Sequence, residues 1–423
     1  MTADHDGAAG AGILSGLRVV EGSAFVAAPL GGMTLAQLGA EVIRFDPLTG
    51  GLDSGRWPLA PGGGSLFWAG LNKGKKSIAV DLRSPEGQEL LTRLITLPGP
   101  EGGIFSTNFP ARGWLDYEVL REHRDDLIMV NLVGRRDGGS EVDYTVNPQT
   151  GLPDMTGPEG DPAPTNHVLP AWDLISGQMM ATAVLAAERH RRLRGEGQLV
   201  RLALKDVALA TMGHLGFLGE AAFGEVDRPK AGNYLFGAFG RDFTTLDGQR
   251  IMIVGLTPSQ WRRLLRATEL GHRFDALGER LGLDLSDQGN RYRARREVAA
   301  VLESWVQART LAEIRPILVE HRVTWGPYRS VKRALAEDPD LSPDNPMFTE
   351  LDQPGMGSWL VPGTPLSFGA VPRREPVRAP VLGEHTDEVL LGLMGLGEAE
   401  VGRLHDQGVV AGPDPDLVAQ AGR

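Results

Sequence analysis

The sequence predicts an α/β protein with a Rossmann-like large domain and a second, smaller α+β domain. Three observations lead to this fold class. The chain has 423 residues, enough for two or three domains at about 150 residues each. Short apolar runs alternate with helical periods over residues 17–203, a pattern typical of a parallel sheet covered by helices. Beyond about residue 225 the composition shifts to a single clear strand and several short charged helices.

A βαβ unit opens the alternating region. Residues 17–21 and 41–45 predict strands, and residues 29–39 between them predict a helix. A second helix is expected to begin at Ser84, a favourable N-cap that is followed by Pro85 at the first helical position. The other strands of the large domain are expected at residues 76–82, 103–106, 127–133 and 198–203.

Loops and composition indicate the domain boundaries. Long helices are expected over residues 174–193 and 205–222, and a strand of the smaller domain over residues 250–256. We expect a disordered leader at 1–13, the N-terminal part of a large domain at 14–224, a small domain at 225–330 and a C-terminal return to the large domain at 331–423.

Composition excludes several kinds of chemistry. The absence of cysteine removes disulfides, thiolate nucleophiles and iron–sulfur clusters. The net charge of −11 disfavours nucleic acid as a partner. The 9 histidines show no metal-binding spacing, so no metal is expected. The sequence shows neither a signal peptide nor an apolar stretch of membrane-spanning length, which predicts a cytoplasmic protein without a membrane partner.

Three segments carry residues suited to anionic ligands. Residues 21–29 join a strand to a helix and contain small side chains that allow a ligand to approach the backbone, although a simple connector explains them equally well. They lack the G-x-G-x-x-G fingerprint of NAD or FAD sites. Residues 71–77 hold three lysines that suit phosphates or form a solvated loop. Arg135 and Arg136 follow a strand end and could hold a carboxylate.

A carboxylate is the remaining candidate for covalent chemistry. No G-x-S-x-G serine motif occurs, and the chain has no cysteine. Asp173 lies between Trp172 and the start of an apolar helix. Taken alone, this position also suits a plain helix N-cap.

Several segments taken together resemble the class III CoA-transferase family. They occur in the family's order, at residues 16–21, 35–44, 72–81, 107–110, 195–200 and 379–387. The resemblance implies a two-domain subunit in which the large domain, beginning with residues 14–224, binds CoA. It also implies an interlocked homodimer and an aspartate nucleophile, whose position falls on Asp173. It also implies that CoA enters as part of a small acyl-CoA substrate, with no permanently bound cofactor.

The same resemblance assigns CoA contacts to individual positions. It implies that Phe25 and Val26 contact the adenine or diphosphate of CoA. Phosphate contacts are implied for four residues in one segment: Asn72, Lys73, Gly74 and Lys75. Asn108 and Phe109 are implied to line the CoA channel, and Arg112 to make a further phosphate contact.

Two departures from the wider family favour one type of reaction. Racemases of this fold carry a histidine base where this chain has Val142, and intermolecular transferases often have a glycine-rich flap where residues 232–241 are bulkier. We therefore expect intramolecular transfer of CoA between two carboxyls of one acyl group, with Arg135, Arg136 and Arg241 as candidates to hold the free carboxylate. An intermolecular CoA transferase and a non-catalytic CoA-ester binding protein are the alternatives.

Overall fold

The computed structural model describes residues 12–417, so residues 1–11 of the predicted leader lie outside the described residues. The strands are β1 Arg18–Gly22, β2 Glu41–Asp46, β3 Lys76–Val80, β4 Ile104–Thr107, β5 Ile128–Val133, β6 Gln198–Ala203, β7 Phe239–Thr244, β8 Arg250–Gly255, β9 Thr324–Pro327, β10 Phe348–Gln353, β11 Gly357–Pro362 and β12 Val410–Ala411. The helices are α1 Ala27–Gln37, α2 Leu66–Leu71, α3 Pro85–Ile95, α4 Tyr117–Arg121, α5 Asp143–Val146, α6 Leu152–Met155, α7 Ala171–Arg194, α8 Leu204–His214, α9 Phe217–Phe223, α10 Pro258–Thr268, α11 Gly271–Leu281, α12 Gln288–Arg293, α13 Arg295–Gln307, α14 Leu311–Glu320, α15 Val331–Glu337 and α16 Glu398–Asp406.

The described residues form two compact units. The first comprises residues 12–150, Val168–Gly219 and 339–417, and the second comprises Gly151–His167 and Glu220–Asp338. The sequence prediction had placed residues 151–167 in the large domain. They belong to the second unit because long-range polar contacts, such as the ion pair between Glu159 and Arg296, join them to it.

A seven-stranded sheet organises the first unit, in the order β12-β3-β2-β1-β4-β5-β6. Strands β1 to β6 are parallel to their neighbours, whereas β12 adds an antiparallel edge next to β3. The predicted α/β fold class is therefore confirmed. Helices α1 and α7 pack on each other and contact strands of this sheet.

Local signals place most elements correctly. Ser84 caps α3 by accepting a hydrogen bond from the Gly87 N–H, and Pro85 occupies the first turn as predicted. The single helix predicted over residues 205–222 is wrong. It is divided into α8 and α9 because Gly216 adopts a positive φ of 81°, which ends the first helix.

The second unit has an antiparallel sheet in the order β7-β8-β9 and its own apolar core. That core includes Phe239 from β7, Trp261 from α10 and Leu302 from α13, all buried. Over residues 12–417, no helix is both long and apolar enough to cross a membrane.

Candidate functional site

A cavity of about 630 Å³ lies in the first unit at the carboxyl ends of β1, β4 and β5. The segments that follow these strands contribute Phe25, Val26, Asn108 and Phe109 to its wall, and α7 contributes Asp173. Ligands of open parallel α/β sheets bind at this end of the strands because the chain leaves the sheet there in loops that vary freely. Five predicted site residues thus meet at one cavity.

The turn after β1 is held in a strained conformation. Phe25 has a positive φ of 68°, which is unfavourable for a side chain with a Cβ. Its N–H donates to Asp53 Oδ2 at 3.0 Å, and the Ala24 N–H donates to Asn108 Oδ1 at 3.0 Å. The Asn108 amide also donates to the Ala24 carbonyl at 2.8 Å. These bonds fix the turn against the end of β4. As a result, α1 begins at the cavity wall, which Ala27 lines.

A buried ion network supports this turn from below. The Arg44 guanidinium donates to Asp46 and Asp53, with closest distances of 2.9 Å to each carboxylate. It also donates to Asn72 Oδ1 at 3.0 Å. Because Asp53 binds the Phe25 N–H as well, the network links β2 directly to the cavity wall.

Lys75 continues the network and is fully buried. Its ammonium group donates to Glu21 Oε1 at 2.7 Å, to the Pro29 carbonyl at 2.9 Å and to Asn72 Oδ1 at 2.9 Å. These three bonds use all of its donors. Burial lowers the pKa of Lys75 to about 8, although Glu21 opposes the shift. The structure therefore places Asn72 and Lys75 inside the ion network rather than at a ligand surface.

Asp173 lies in the first turn of α7, with its carboxylate in the cavity wall. It is not the N-cap, as the simplest interpretation of the sequence suggested. Asp143 caps the helix instead: its Oδ2 accepts hydrogen bonds from the Trp172 N–H at 2.8 Å and the Asp173 N–H at 3.1 Å. Within residues 12–417, no hydrogen bond engages the Asp173 carboxylate itself. The carboxylate is therefore not used in capping.

The surroundings of Asp173 favour its protonated form. Burial, reinforced by the neighbouring Asp143 charge, raises the pKa of Asp173 to about 7, and only Arg56 opposes this shift. A carboxylate with this pKa is more basic and more nucleophilic than an exposed aspartate, yet a large fraction is ionised at neutral pH. Such a pKa is typical of groups that act in catalysis.

Close helix packing brings Asp173 to the strained turn. A Cβ on Gly177 of α7 would lie 2.7 Å from the Ala27 carbonyl oxygen of α1. A Cβ on Gly31 of α1 would lie 3.0 Å from the Gly177 carbonyl oxygen. Side chains at these positions would push the helices apart, so the small residues set the distance between Asp173 and the start of α1.

The other predicted site residues lie outside this cavity wall. Lys73 is largely buried and donates to the Gly70 carbonyl at 2.5 Å, with Gly74 beside it in a separate small pocket. Arg112 is exposed. Arg135 pairs with Asp137 at 2.8 Å and Arg136 with Asp206 at 3.2 Å, all on the surface. Arg241 belongs to the second unit, where it lies 3.3 Å from the Tyr234 hydroxyl.

Three residues of the site were not found by sequence reasoning. Asp53 and Arg56 come from an irregular loop after β2, and no periodicity or motif marks them. Asp143 was also missed, although the adjacent Val142 was considered. Its capping of α7 depends on contact between residues 29 and 30 positions apart in the chain, which local patterns do not reveal.

Fold and site together define an α/β protein with a largely parallel sheet and a half-buried carboxylate, Asp173, that lines a cavity and does not cap its helix. The family model described as CoA-transferase family III matches residues 14–386. The chain therefore belongs to CoA-transferase family III, and the predicted resemblance is confirmed.

Individual relatives extend this assignment. The chain is 68% identical to the 2-methylfumaryl-CoA isomerase of Chloroflexus aurantiacus over 404 residues, which cover 95% of this chain and 99% of that protein. It is 27% identical to the succinyl-CoA–L-malate CoA-transferase alpha subunit of the same species, over 94% of this chain and 92% of the relative. Among solved structures, a CaiB/BaiF family protein from Brucella suis matches with a TM-score of 0.73 and 25% identity, covering 90% of this chain and 100% of that one.

Proposed function

We propose that this chain moves CoA between the C1 and C4 carboxyls of 2-methylfumaryl-CoA (mesaconyl-CoA) without exchanging the acyl group with solution. The observation that carries the proposal is the 68% identity to a 2-methylfumaryl-CoA isomerase over 95% of the chain. Sequence identity to the succinyl-CoA–L-malate CoA-transferase alpha subunit is much lower, at 27%. The bulkier segment at residues 232–241, in place of a glycine-rich flap, supports the same choice.

Asp173 is the proposed nucleophile. Its ionised carboxylate attacks the C1 thioester carbonyl, and the tetrahedral oxyanion collapses with loss of CoA thiolate to leave a mixed anhydride between Asp173 and the acyl group. The start of α1 lies in the same cavity wall and has no side-chain cap, so its first N–H groups supply donors for the oxyanion. We place Phe25, Val26, Asn108 and Phe109 along the bound CoA.

The geometry of the acyl group requires the protein carboxylate to carry CoA. The two carboxyls of a fumaryl group are trans across a double bond, so one cannot attack the other. The thiolate therefore attacks the Asp173 carbonyl of the anhydride, which gives an aspartyl-CoA thioester and a free dicarboxylate. The C4 carboxylate then attacks this thioester, CoA thiolate leaves, and its attack on the C4 carbonyl returns Asp173 as a carboxylate. The reaction needs no resident cofactor because CoA arrives with the substrate.

Retention of the acyl group gives a direct test. The protein is incubated with unlabelled 2-methylfumaryl-C1-CoA and an excess of ¹³C-labelled free mesaconate, and the C1 and C4 esters are separated and weighed by mass spectrometry. We expect both esters to interconvert without taking up label. Label in the ester pool would instead establish intermolecular transfer. Tight CoA binding with no change in either ester would establish a non-catalytic binding protein.

Asp143 provides a test through pH. Because Asp173 must be ionised to attack and its pKa is about 7, kcat/KM should rise with pH and level off above that value. Asp143→Asn removes the neighbouring charge but keeps an oxygen that accepts the two helix N–H groups. We expect the midpoint of the pH profile to move to lower pH.

The matched variant Asp143→Ala separates charge from capping. It also removes the charge, but it loses the cap and should lower the free energy of unfolding by about 1 kcal/mol relative to Asp143→Asn. A midpoint that stays at its wild-type value in Asp143→Asn would contradict the assigned influence of Asp143 on Asp173.

Finally, we infer that the subunit forms a homodimer, the assembly that family membership implies. Light scattering coupled to size-exclusion chromatography measures the mass directly. A monomer mass would contradict this inference.

A further inference from the structure

Arg56 is a cation in the cavity wall that forms no ion pair within residues 12–417, although its charge acts on Asp173. Its guanidinium lies 5.6 Å from the centre of the Phe25 ring and 5.0 Å from that of Phe67. Other arginines do have such partners: Arg44 has two, and Arg135 and Arg136 have one each. The aromatic faces hold the guanidinium in place through cation–π contacts without neutralising it.

The backbone of Arg56 is anchored to the same network that shapes the cavity. Its N–H donates to the Asp53 carbonyl at 3.1 Å, and its carbonyl accepts from the Ser65 hydroxyl at 2.5 Å. Asp53 in turn binds the Phe25 N–H. The position of the guanidinium is therefore preorganised relative to the turn at the start of α1, as expected for a residue that orients a ligand.

The charge of the cavity also singles out Arg56. Among the lining residues of the described chain it is the only arginine or lysine, whereas Glu141, Asp143 and Asp173 contribute carboxylates. The proposed substrate and product each carry one free carboxylate, on C4 before transfer and on C1 afterwards. That carboxylate must enter an acidic cavity, so a cation has to receive it.

We propose that Arg56 is a specificity-determining residue that binds the free carboxylate of a dicarboxylyl-CoA. This inference rests on the proposed function. It assigns to Arg56 the carboxylate-binding role that the sequence predicted for Arg135, Arg136 and Arg241. A guanidinium forms two parallel hydrogen bonds with a carboxylate, and it accommodates either end of the acyl group in turn. Selection of a dicarboxylyl over a monocarboxylyl ester follows from that contact.

Binding to a protein that cannot turn over separates Arg56 from the chemistry. Isothermal titration of Asp173→Asn is compared with Asp173→Asn/Arg56→Met and Asp173→Asn/Arg56→Lys, using succinyl-CoA, butyryl-CoA and free CoA as ligands. We expect Arg56→Met to weaken succinyl-CoA binding about 10- to 100-fold, the loss typical of a charge-assisted pair, and Arg56→Lys to weaken it less. Butyryl-CoA and free CoA should bind nearly unchanged. Arg121→Met, which removes an exposed guanidinium on α4, is the matched control.

Each other outcome overturns the proposal. Equal losses for all three ligands would place Arg56 on the CoA phosphates, and unchanged binding of all three would remove it from the site. A selective loss in Arg135→Met or Arg136→Met but not in Arg56→Met would assign the contact to those residues. Failure of the proposed function is distinguishable from failure of this proposal, because the titrations require no isomerisation. If the wild type does not interconvert the esters but Arg56→Met still weakens the binding of succinyl-CoA alone, the proposed function is wrong and the carboxylate site is supported.

Discussion

Asp173→Asn is expected to abolish the interconversion of the C1 and C4 esters, with a fall in kcat of about 10⁴-fold or more. The amide keeps the shape of the side chain but cannot form the anhydride. Because Asp143 and not Asp173 caps α7, the substitution leaves the helix start intact. Chromatographic separation of the two esters measures the rate, and in the wild type hydroxylamine trapping followed by mass spectrometry should identify Asp173 as a hydroxamate, the product of hydroxylamine attack on its activated carbonyl.

The same substitution should stabilise the protein at alkaline pH. Asp173 has a pKa of about 7 in the folded chain against 3.8 for an ordinary aspartate. The folded state therefore holds the proton more tightly, and the free energy of unfolding falls as pH rises through this interval. The asparagine does not ionise and avoids this loss. We expect Asp173→Asn to melt above the wild type at a pH higher than 7.

A second carboxylate of the cavity serves as the comparison. Glu141 lines the same wall, but its carboxylate accepts hydrogen bonds from Thr145 and Gln149. Glu141→Gln should retain most of the activity. An active Asp173→Asn, or an Asp173→Asn that is both inactive and less stable than wild type at alkaline pH, would contradict the assigned role of Asp173.

Lys75→Met is expected to have the largest effect on stability, a loss of about 3–5 kcal/mol in the free energy of unfolding. Lys75 and Glu21 form an ion pair in which both side chains are fully buried. Removing the ammonium leaves the Glu21 carboxylate without its partner, and the second oxygen of that carboxylate already has no hydrogen bond. Urea denaturation followed by fluorescence measures the change.

The adjacent lysine is a matched control. Lys76 pairs with Glu41 and Glu388, but its side chain is 31% exposed, so Lys76→Met should cost at most about 1 kcal/mol. The double variant Glu21→Gln/Lys75→Met should recover part of the lost stability, because no unpaired charge remains. If Lys75 instead contacts CoA phosphates, as family resemblance implied, Lys75→Met would weaken CoA binding with little change in stability.

Elements with strong local signals were predictable. The β6 strand occupies the residues expected from its apolar run, and α3 begins at the predicted Ser84 cap, because both depend on side chains close together in the chain. The break at Gly216 was missed because the apolar pattern continues across it. The edge strand β12 was also missed, since its two residues pair with β3 through a long-range contact.

The same distinction between local and long-range contacts applies to the candidate site. Asp173 was identified from a motif, and Phe25, Val26, Asn108 and Phe109 follow strands whose parallel order brings their ends together. Sequence reasoning treated the three lysines near residue 75 as one basic strip. The structure instead buries Lys75 against Glu21 and leaves Lys76 half-buried at the surface.

The sequence by itself determined the family and the parallel α/β architecture, and it led to the proposal of Asp173 as the nucleophile, because apolar periodicity and short motifs depend on neighbours along the chain. Only the tertiary structure decided the electrostatic role of each charged group. Asp143 beside Asp173, Asp53 below Phe25 and Arg56 between two aromatic rings come from distant segments. Burial and nearby charge set the pKa and the partners of a side chain, and both depend on packing between segments that the linear order of residues does not specify.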